Sequence, residues 1–190
     1  MIGDVLKYLR DQLNVYLGNT LPESIQFPSG IPDDSLILPS ECVTLLLVRI
    51  EEEKTMRFDE RYIRTKGSEN NRFYTRAQPA VPIHLYIFFI ARFSDYANGL
   101  QKLSAVIQFF QSRPVFRPTI QTDDGPLELP ELITELHTPT FTVQNEIWSA
   151  LKAPQHPAVM YKITMLMLEN EEITGDVIRE VQTISAPISN

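Results

Sequence analysis

An α+β fold, with a sheet of at least four strands, helices packed on it and extended loops or arms, is predicted by three features of this 190-residue chain. The first is Pro82 to Phe116, PIHLYIFFIARFSDYANGLQKLSAVIQFFQSRPVF, where a β-branched and aromatic run passes straight into an amphipathic helix. The second is a set of three more strand-like tracts, Val43 to Glu51, Leu132 to Phe141 and Ala158 to Leu168. The third is helical periodicity near each end, from Ile2 to Leu17 and from Thr142 to Leu151. The resulting order is helix, strand, strand, helix, strand, helix, strand, tail, a layout that packs helices onto one sheet. Whether the last strands run parallel or antiparallel is left open by the pattern.

Ile2, Val5, Leu6, Leu9, Leu13, Tyr16 and Leu17 recur at helical spacing, and Gly18 is placed to end that helix. Residues 19–40 hold four prolines and little periodicity, so they read as a loop. Residues 52–80 have scattered charge and no sustained period, which reads as an irregular arm. Ile83 to Ile90 is apolar on both alternating faces apart from His84, the pattern of a strand covered on both sides. Ser94 is read as the N-cap of the next helix, with Asp95 adding negative charge at the positive end of its dipole. Tyr96, Leu100, Leu103, Val106, Ile107 and Phe110 form its apolar stripe, and Pro114 stops it. Residues 117–130 read as a loop around the Asp123-Asp124-Gly125-Pro126 turn. Pro139 gives the strand at 132–141 an edge position or a bulge near its end. Thr142 is read as the cap of a short helix carrying Ile147 and Trp148. Ala158 to Leu168 is apolar on both faces, broken only by Lys162 and Thr164. A weak alternating tract, Val177 to Ile184, precedes a polar end. The expected organisation is one domain over 1–170, with its arm at about 52–80, then a tail at 171–190.

Composition narrows the function classes. Hydrophobic content of 43% and charged content of 22% are ordinary for a globular chain. A net charge of −7 argues against general binding to nucleic acid or anionic membranes, which need clustered Lys and Arg. No apolar run approaches the ~20 residues of a membrane span, and the N-terminus lacks the basic start and apolar core of a signal peptide. Cys42 is the only cysteine, so no intrachain disulfide forms, in keeping with a reducing compartment. His84, His137 and His156 fall in different elements with no zinc-ligand spacing. There is no phosphate-binding glycine loop. No cofactor, metal or catalytic residue is expected.

One segment departs from the acidic average. Lys54 to Arg76 holds seven basic residues against three acids, so it carries +4 and the remainder −11 (−7 less +4). Phe58, Tyr62, Phe73 and Tyr74 are interleaved with the arginines. The segment reads first as a solvated loop and second as an arm that meets an acidic neighbour, since Arg and aromatic residues are favoured at interfaces; a single-stranded nucleic-acid contact is a third reading, disfavoured by the acidic remainder. On the second reading the contact residues are Arg57, Arg61, Tyr62, Arg64, Arg72, Phe73 and Tyr74.

Four stretches carry a family resemblance: IGDVLKYLRDQLN, VTLLLVRIEEEKTMR, YIFFIARFSDYANGLQKLSAVIQFFQSRPVF and ELHTPTFTVQNEIWSALKAPQHPAVMYKITMLML. In this order they reach from the N-terminus to about residue 168, and the chain resembles the tail-terminator or cap proteins of contractile injection systems, the phage-tail-like machines of the antifeeding-prophage type. The resemblance implies a structural part and no enzyme. Such proteins form a homo-oligomeric ring, six-fold by expectation, on the distal end of the inner tube and its sheath. There they end polymerisation and stabilise the extended sheath. Sheath protein, tube protein and further copies of the chain are the implied partners. Assembly in the bacterial cytoplasm is implied too, within a particle that is released or membrane-anchored. Some family members continue into a further C-terminal region, and no role of such an extension is carried over. Two other readings stand beside this one. One is a terminator or adaptor ring of a true phage tail. The other, from a different class, is a small cytoplasmic enzyme pairing Cys42 with His84 or His137.

Overall fold

The computed structural model describes residues 1–18, 25–28, 36–53, 61–65, 73–77, 81–122, 125–167 and 178–179. In chain order the elements are α1 (Ile2–Tyr16), β1 (Ile25–Gln26), β2 (Cys42–Glu52), β3 (Arg61–Thr65), β4 (Phe73–Ala77), β5 (Val81–Arg92), α2 (Tyr96–Ser112), β6 (Val115–Phe116), β7 (Thr119–Thr122), β8 (Gly125–Glu128), β9 (Leu132–His137), α3 (Phe141–Leu151), β10 (Ala158–Met167) and β11 (Ile178–Arg179). They fall into two units, one of residues 1–53 and 82–166, the other of residues 54–81 and 167–190.

The larger unit is built on a six-stranded sheet in the order β1-β2-β5-β10-β9-β6. β2 pairs antiparallel with β5, and β9 pairs antiparallel with both β10 and β6. The Ala91 N–H donates to the Pro157 carbonyl, and His84 meets Thr164, so seven residues back along β5 match seven forward along β10. That pairing is antiparallel as well. β1 alone runs parallel to its neighbour. The fold is therefore α+β with a mixed sheet, as the sequence predicts, and the last two long strands are antiparallel.

β5 is the centre of the unit because both of its faces are apolar. On one face Phe89 meets Phe110 of α2 at 5.6 Å and Tyr161 of β10 at 6.0 Å, while Phe110 lies 4.4 Å from Tyr161. Leu103, Val106 and Phe109 of α2 and Val5, Leu9 and Leu13 of α1 are buried in the same unit. Tyr16 of α1 reaches Phe109 at 5.2 Å and Tyr8 reaches Phe116 at 6.4 Å. On the other face Phe88 and Ile90 pack with Leu38, Met160 and Trp148 of α3. Each such side chain contributes about 1.5–3 kcal/mol through removal from water.

Caps and turns fix how the helices leave the sheet. Asp95, rather than Ser94, caps α2: its carboxylate accepts from the Ala97 N–H at 3.0 Å. The Ser94 N–H instead donates to Glu41 Oε1 at 2.8 Å. Glu41 itself has a left-handed backbone at φ 57°. Its N–H donates to the Arg92 carbonyl at 2.7 Å, so one residue ties the start of β2 to the exit of β5. The cap of α3 is Thr140, two residues before the predicted Thr142, its hydroxyl accepting from Val143 N–H. β9 accordingly ends at His137, before Pro139, and Phe141 opens the helix with 92% of its surface exposed. The α2 stripe is also rotated, for Tyr96 and Leu100 are exposed while Gly99 and Phe109 are buried.

Three predicted loops contain strands. In residues 19–40, Ile25 and Gln26 pair with Val43 and Thr44. The Asn14 side chain holds them there: its Nδ2 donates to the Ile25 carbonyl at 3.1 Å and its Oδ1 accepts the Ile25 N–H at 2.9 Å. A side-chain amide can stand in for a neighbouring strand, and no hydropathy period reveals it. In residues 117–130, Thr119–Thr122 pairs with Gly125–Glu128 as a two-stranded hairpin. Gly125 follows the turn at φ 117°, a conformation that L side chains rarely adopt. In residues 52–80, β3 and β4 form a hairpin, joined by β11 in a three-stranded sheet of order β11-β4-β3. The second unit thus takes in residues that the sequence reading assigned to an irregular arm and to a tail. Val177 to Ile184 contributes only Ile178 and Arg179, and the rest of that tract lies outside the described residues. Among the described residues no helix is long and apolar enough to cross a membrane.

The packing predicts contrasting costs for two phenylalanines. Phe110→Ala should lower the unfolding free energy by about 3–5 kcal/mol, because its ring is buried among Phe89, Phe116 and Tyr161. Phe141→Ala should change it by no more than about 0.5 kcal/mol. Urea unfolding of the two variants checks both values.

Candidate assembly surface

The residues predicted to meet a partner are divided by the structure. Arg61, Tyr62 and Arg64 lie on β3, and Phe73 and Tyr74 on β4. The ladder sets Arg64 opposite Tyr74, Thr65 opposite Phe73 and Tyr62 opposite Arg76. On the far side of β4, Ile178 stands opposite Tyr74 and Arg179 opposite Phe73. Arg57 and Arg72 lie outside the described residues. The hairpin therefore brings five of the seven predicted contact residues into two adjacent strands. Alternating Arg and aromatic residues are compatible with such a pair, because aromatic and β-branched types favour strands.

A second polar assembly, within the larger unit, crosses four strands. His84 Nε2 contacts Glu53 Oε2, and an ionised carboxylate only accepts, so the ring nitrogen donates. The Thr164 hydroxyl sits 2.9 Å from His84 Nδ1. Next to them, Tyr86 stacks edge-on against His137 at 5.1 Å. Lys162 Nζ lies 2.6 Å from Glu135 Oε2, and Arg49 lies 3.2 Å from Glu51. Burial and then a hydrogen bond with Glu51 push the Tyr86 hydroxyl above its ordinary value. The hydrogen bond to Glu135 raises Lys162, against the opposing effect of burial.

This row depends on an irregularity in β2. The register with β5 runs Leu46–Phe88 and Leu47–Ile87, then skips Val48, so that Arg49 faces Tyr86 and Glu51 faces His84. The β-bulge turns Arg49 and Glu51 toward the His84 face. The sequence signal was present as three polar interruptions in otherwise apolar strands, His84, Lys162 and Thr164. Only the strand order shows that they share one neighbourhood.

A hydroxyl, an imidazole and a carboxylate in line resemble the parts of a nucleophilic site. Thr164, however, lies within β10, whose backbone is paired with β9, whereas oxyanion donors come from turns and helix N-termini. The Cys42 pairings fail on distance. Cys42 stands opposite Arg92 and Glu51 opposite His84, so the thiol and the imidazole are eight residues apart along β5, about 27 Å. His137 is packed against Tyr86, at the His84 end of the same strand. Cys42 is 1% exposed, and its Sγ contacts the Pro39 carbonyl at 3.7 Å. Burial pushes its thiol up, which leaves it a weak nucleophile at neutral pH. Among the described residues no group of His, Cys, Asp and Glu is placed to hold a metal ion.

The arrangement defines a two-unit α+β protein whose polar groups brace strands and whose β3–β4 hairpin carries Arg61, Arg64 and Arg76. The chain belongs to the Pvc16 N-terminal domain family, whose sequence profile matches residues 4–180. Among solved structures it is similar to the sheath/tube terminator of the extracellular contractile injection system PVC in the extended state. That match has a TM-score of 0.64 and 18% identity, covering 100% of this chain and 64% of the other. It is also similar to the anti-feeding prophage cap, a tube-terminating cap, with a TM-score of 0.57 and 13% identity over 94% of this chain and 59% of that one. The chain thus spans less than two thirds of the length of each. No curated protein matches it.

Buried protons predict how stability responds to alkali. Burial pushes up Cys42, Tyr86 and Tyr161, and the Glu135 contact raises Lys162, so the folded chain keeps protons that the unfolded chain has released. Stability must then fall as pH rises, beginning near the ordinary thiol value of about 8.5 and steepening near about 10. Thermal melts of the wild type and Cys42→Ala should show that onset moving from about pH 8.5 to about pH 10 in the variant. An onset that stays in place would contradict a thiol held neutral by the fold.

Proposed function

We propose that this chain is the tail terminator of a contractile injection system, a structural cap that forms a ring on the distal end of the inner tube and its sheath. The family match over residues 4–180 carries the reading, supported by the likeness of the whole chain to 64% of a sheath/tube terminator. A ring of six copies, with tube protein and sheath protein as partners, is the form this function takes. The cap stops both polymers from growing and holds the extended sheath in register. It assembles in the cytoplasm and turns over no substrate, in keeping with a buried thiol remote from both His84 and His137.

The physical support for ring formation is the uneven charge. A segment at +4 in a chain whose remainder is −11 favours contacts between unlike surfaces of neighbouring copies. Arg57, Arg61, Tyr62, Arg64, Arg72, Phe73 and Tyr74 are the contact residues in this reading. Particles made without this chain should have tubes of irregular length and sheaths that contract early, and electron microscopy measures both. Uniform, extended tails in its absence would end the proposal.

Replacing Arg57, Arg61 and Arg64 together by Gln should leave the melting temperature of the isolated chain nearly unchanged, since ion pairs at a surface contribute only about 0–1 kcal/mol to folding. Capping should weaken, and more so at high salt, where the remaining charge pairs are screened. Normally capped tails of uniform length in the triple variant would remove these residues from the interface.

A further inference from the structure

Among the described residues two small sheets stand apart from the six-stranded one, and the sequence segments that hold them are opposite in charge. β3 ends the sheet of order β11-β4-β3, so one side of it pairs with no strand among the described residues. β7 and β8 pair only with each other among the described residues. An unpaired edge is a row of backbone donors and acceptors that can take a further strand. β8 is poorly suited, for Pro126 sits within it and lacks an N–H. β7, Thr119-Ile120-Gln121-Thr122, has no such break and nearly matches β3 in length.

Charge sorts which edge meets which. The segment holding β3 and β4 has a surplus of four positive charges. Residues 118–131, around β7 and β8, contain Asp123, Asp124, Glu128 and Glu131 and no Lys or Arg. Glu131 is occupied by Arg117 at 2.6 Å, and the other three acids lie in sequence between β7 and β8 or on β8. Two basic edges repel, as do two acidic ones, so pairing of like with like is disfavoured. Unlike edges attract, and a contact between two different surfaces of one chain is the kind that closes into rings.

We propose that neighbouring copies join head to tail by strand addition, β3 of one copy running along β7 of the next, with the basic β3–β4 hairpin meeting the acidic β7–β8 hairpin. The inference rests on the ring reading above and adds its interface.

Two charge-reversed proteins test it. One carries Arg61→Glu and Arg64→Glu; the other carries Asp123→Lys, Asp124→Lys and Glu128→Lys. Native mass spectrometry of each alone should show ring assembly weakened about a hundredfold or more, the scale of several like-charge contacts. Mixing the two should restore rings, since in an alternating ring every interface again joins unlike charges. A single chain carrying all five substitutions should assemble by itself. Misfolded variants would not be rescued by mixing, and a contact within one chain would be restored by the five-fold variant but not by the mixture. If the wild type forms rings and both reversed proteins do so equally well, the interface is wrong while the ring reading stands. If the wild type forms no ring, either alone or on tube ends seen by electron microscopy, both fail.

Discussion

Everything in the larger unit answers to the double burial of β5. A strand with Ile87 and Phe89 toward one face and Phe88 and Ile90 toward the other must have a layer on each side. That requirement places α2 and α1 on one face, through Phe110, Phe109 and Tyr16. It places α3 on the other, through Trp148. α3 is only eleven residues long, so along that face apolar packing on Phe88 and Ile90 gives way to polar neighbours at Tyr86 and His84. There the sheet is held by hydrogen bonds and ion pairs among Glu53, His84, Thr164, Lys162 and Glu135. The polar row is the lateral continuation of the core by other means. Its buried members need one another, because an unpartnered polar group there would cost about 1–3 kcal/mol.

The same division clarifies what kind of protein this is. The groups that could have suggested chemistry, a thiol, two imidazoles and several carboxylates, are distributed as strand braces and core fillers. The one basic surplus in the sequence, Lys54 to Arg76, spans the β3–β4 hairpin of the other unit. The fold itself is that of the family found for the chain and of the terminators it resembles.

Much of this was legible in the sequence, for reasons that separate cleanly. α1 and α2 are long and strongly periodic, and β2, β5 and β10 are long apolar runs, so hydrophobic patterning alone marks them, and Gly18 at φ 72° follows the end of α1, where it was expected to stop the helix. The misses share another character. β1 depends on an asparagine eleven residues earlier in the chain. β3, β4, β7 and β8 are four or five residues long, too short for alternation to stand out. The caps moved by one and two residues, from Ser94 to Asp95 and from Thr142 to Thr140, because several adjacent residues had suitable oxygens and only the backbone path selects among them. The basic segment was visible as composition, whereas its hairpin pairing, Arg64 with Tyr74, was not. The polar row was visible only as isolated exceptions, since their adjacency is a property of strand order.

The bulge at Val48 gives β2 two reading frames. Before it, inside and outside alternate in one phase; after it, in the other. Were the ladder continued without the skip, Arg49 would stand opposite Leu85 and Glu51 opposite Ile83, which are 0% and 7% exposed, while Ile50 would replace Glu51 beside His84. Every side chain would be chemically unchanged and wrongly addressed. What matters at this point is that one residue stays out of the ladder: an exchange at Val48 alters one neighbour, but pairing Val48 with Tyr86 would exchange the environments of the whole remaining strand. A short segment thus stores the orientation of the sheet's polar end as a count of residues.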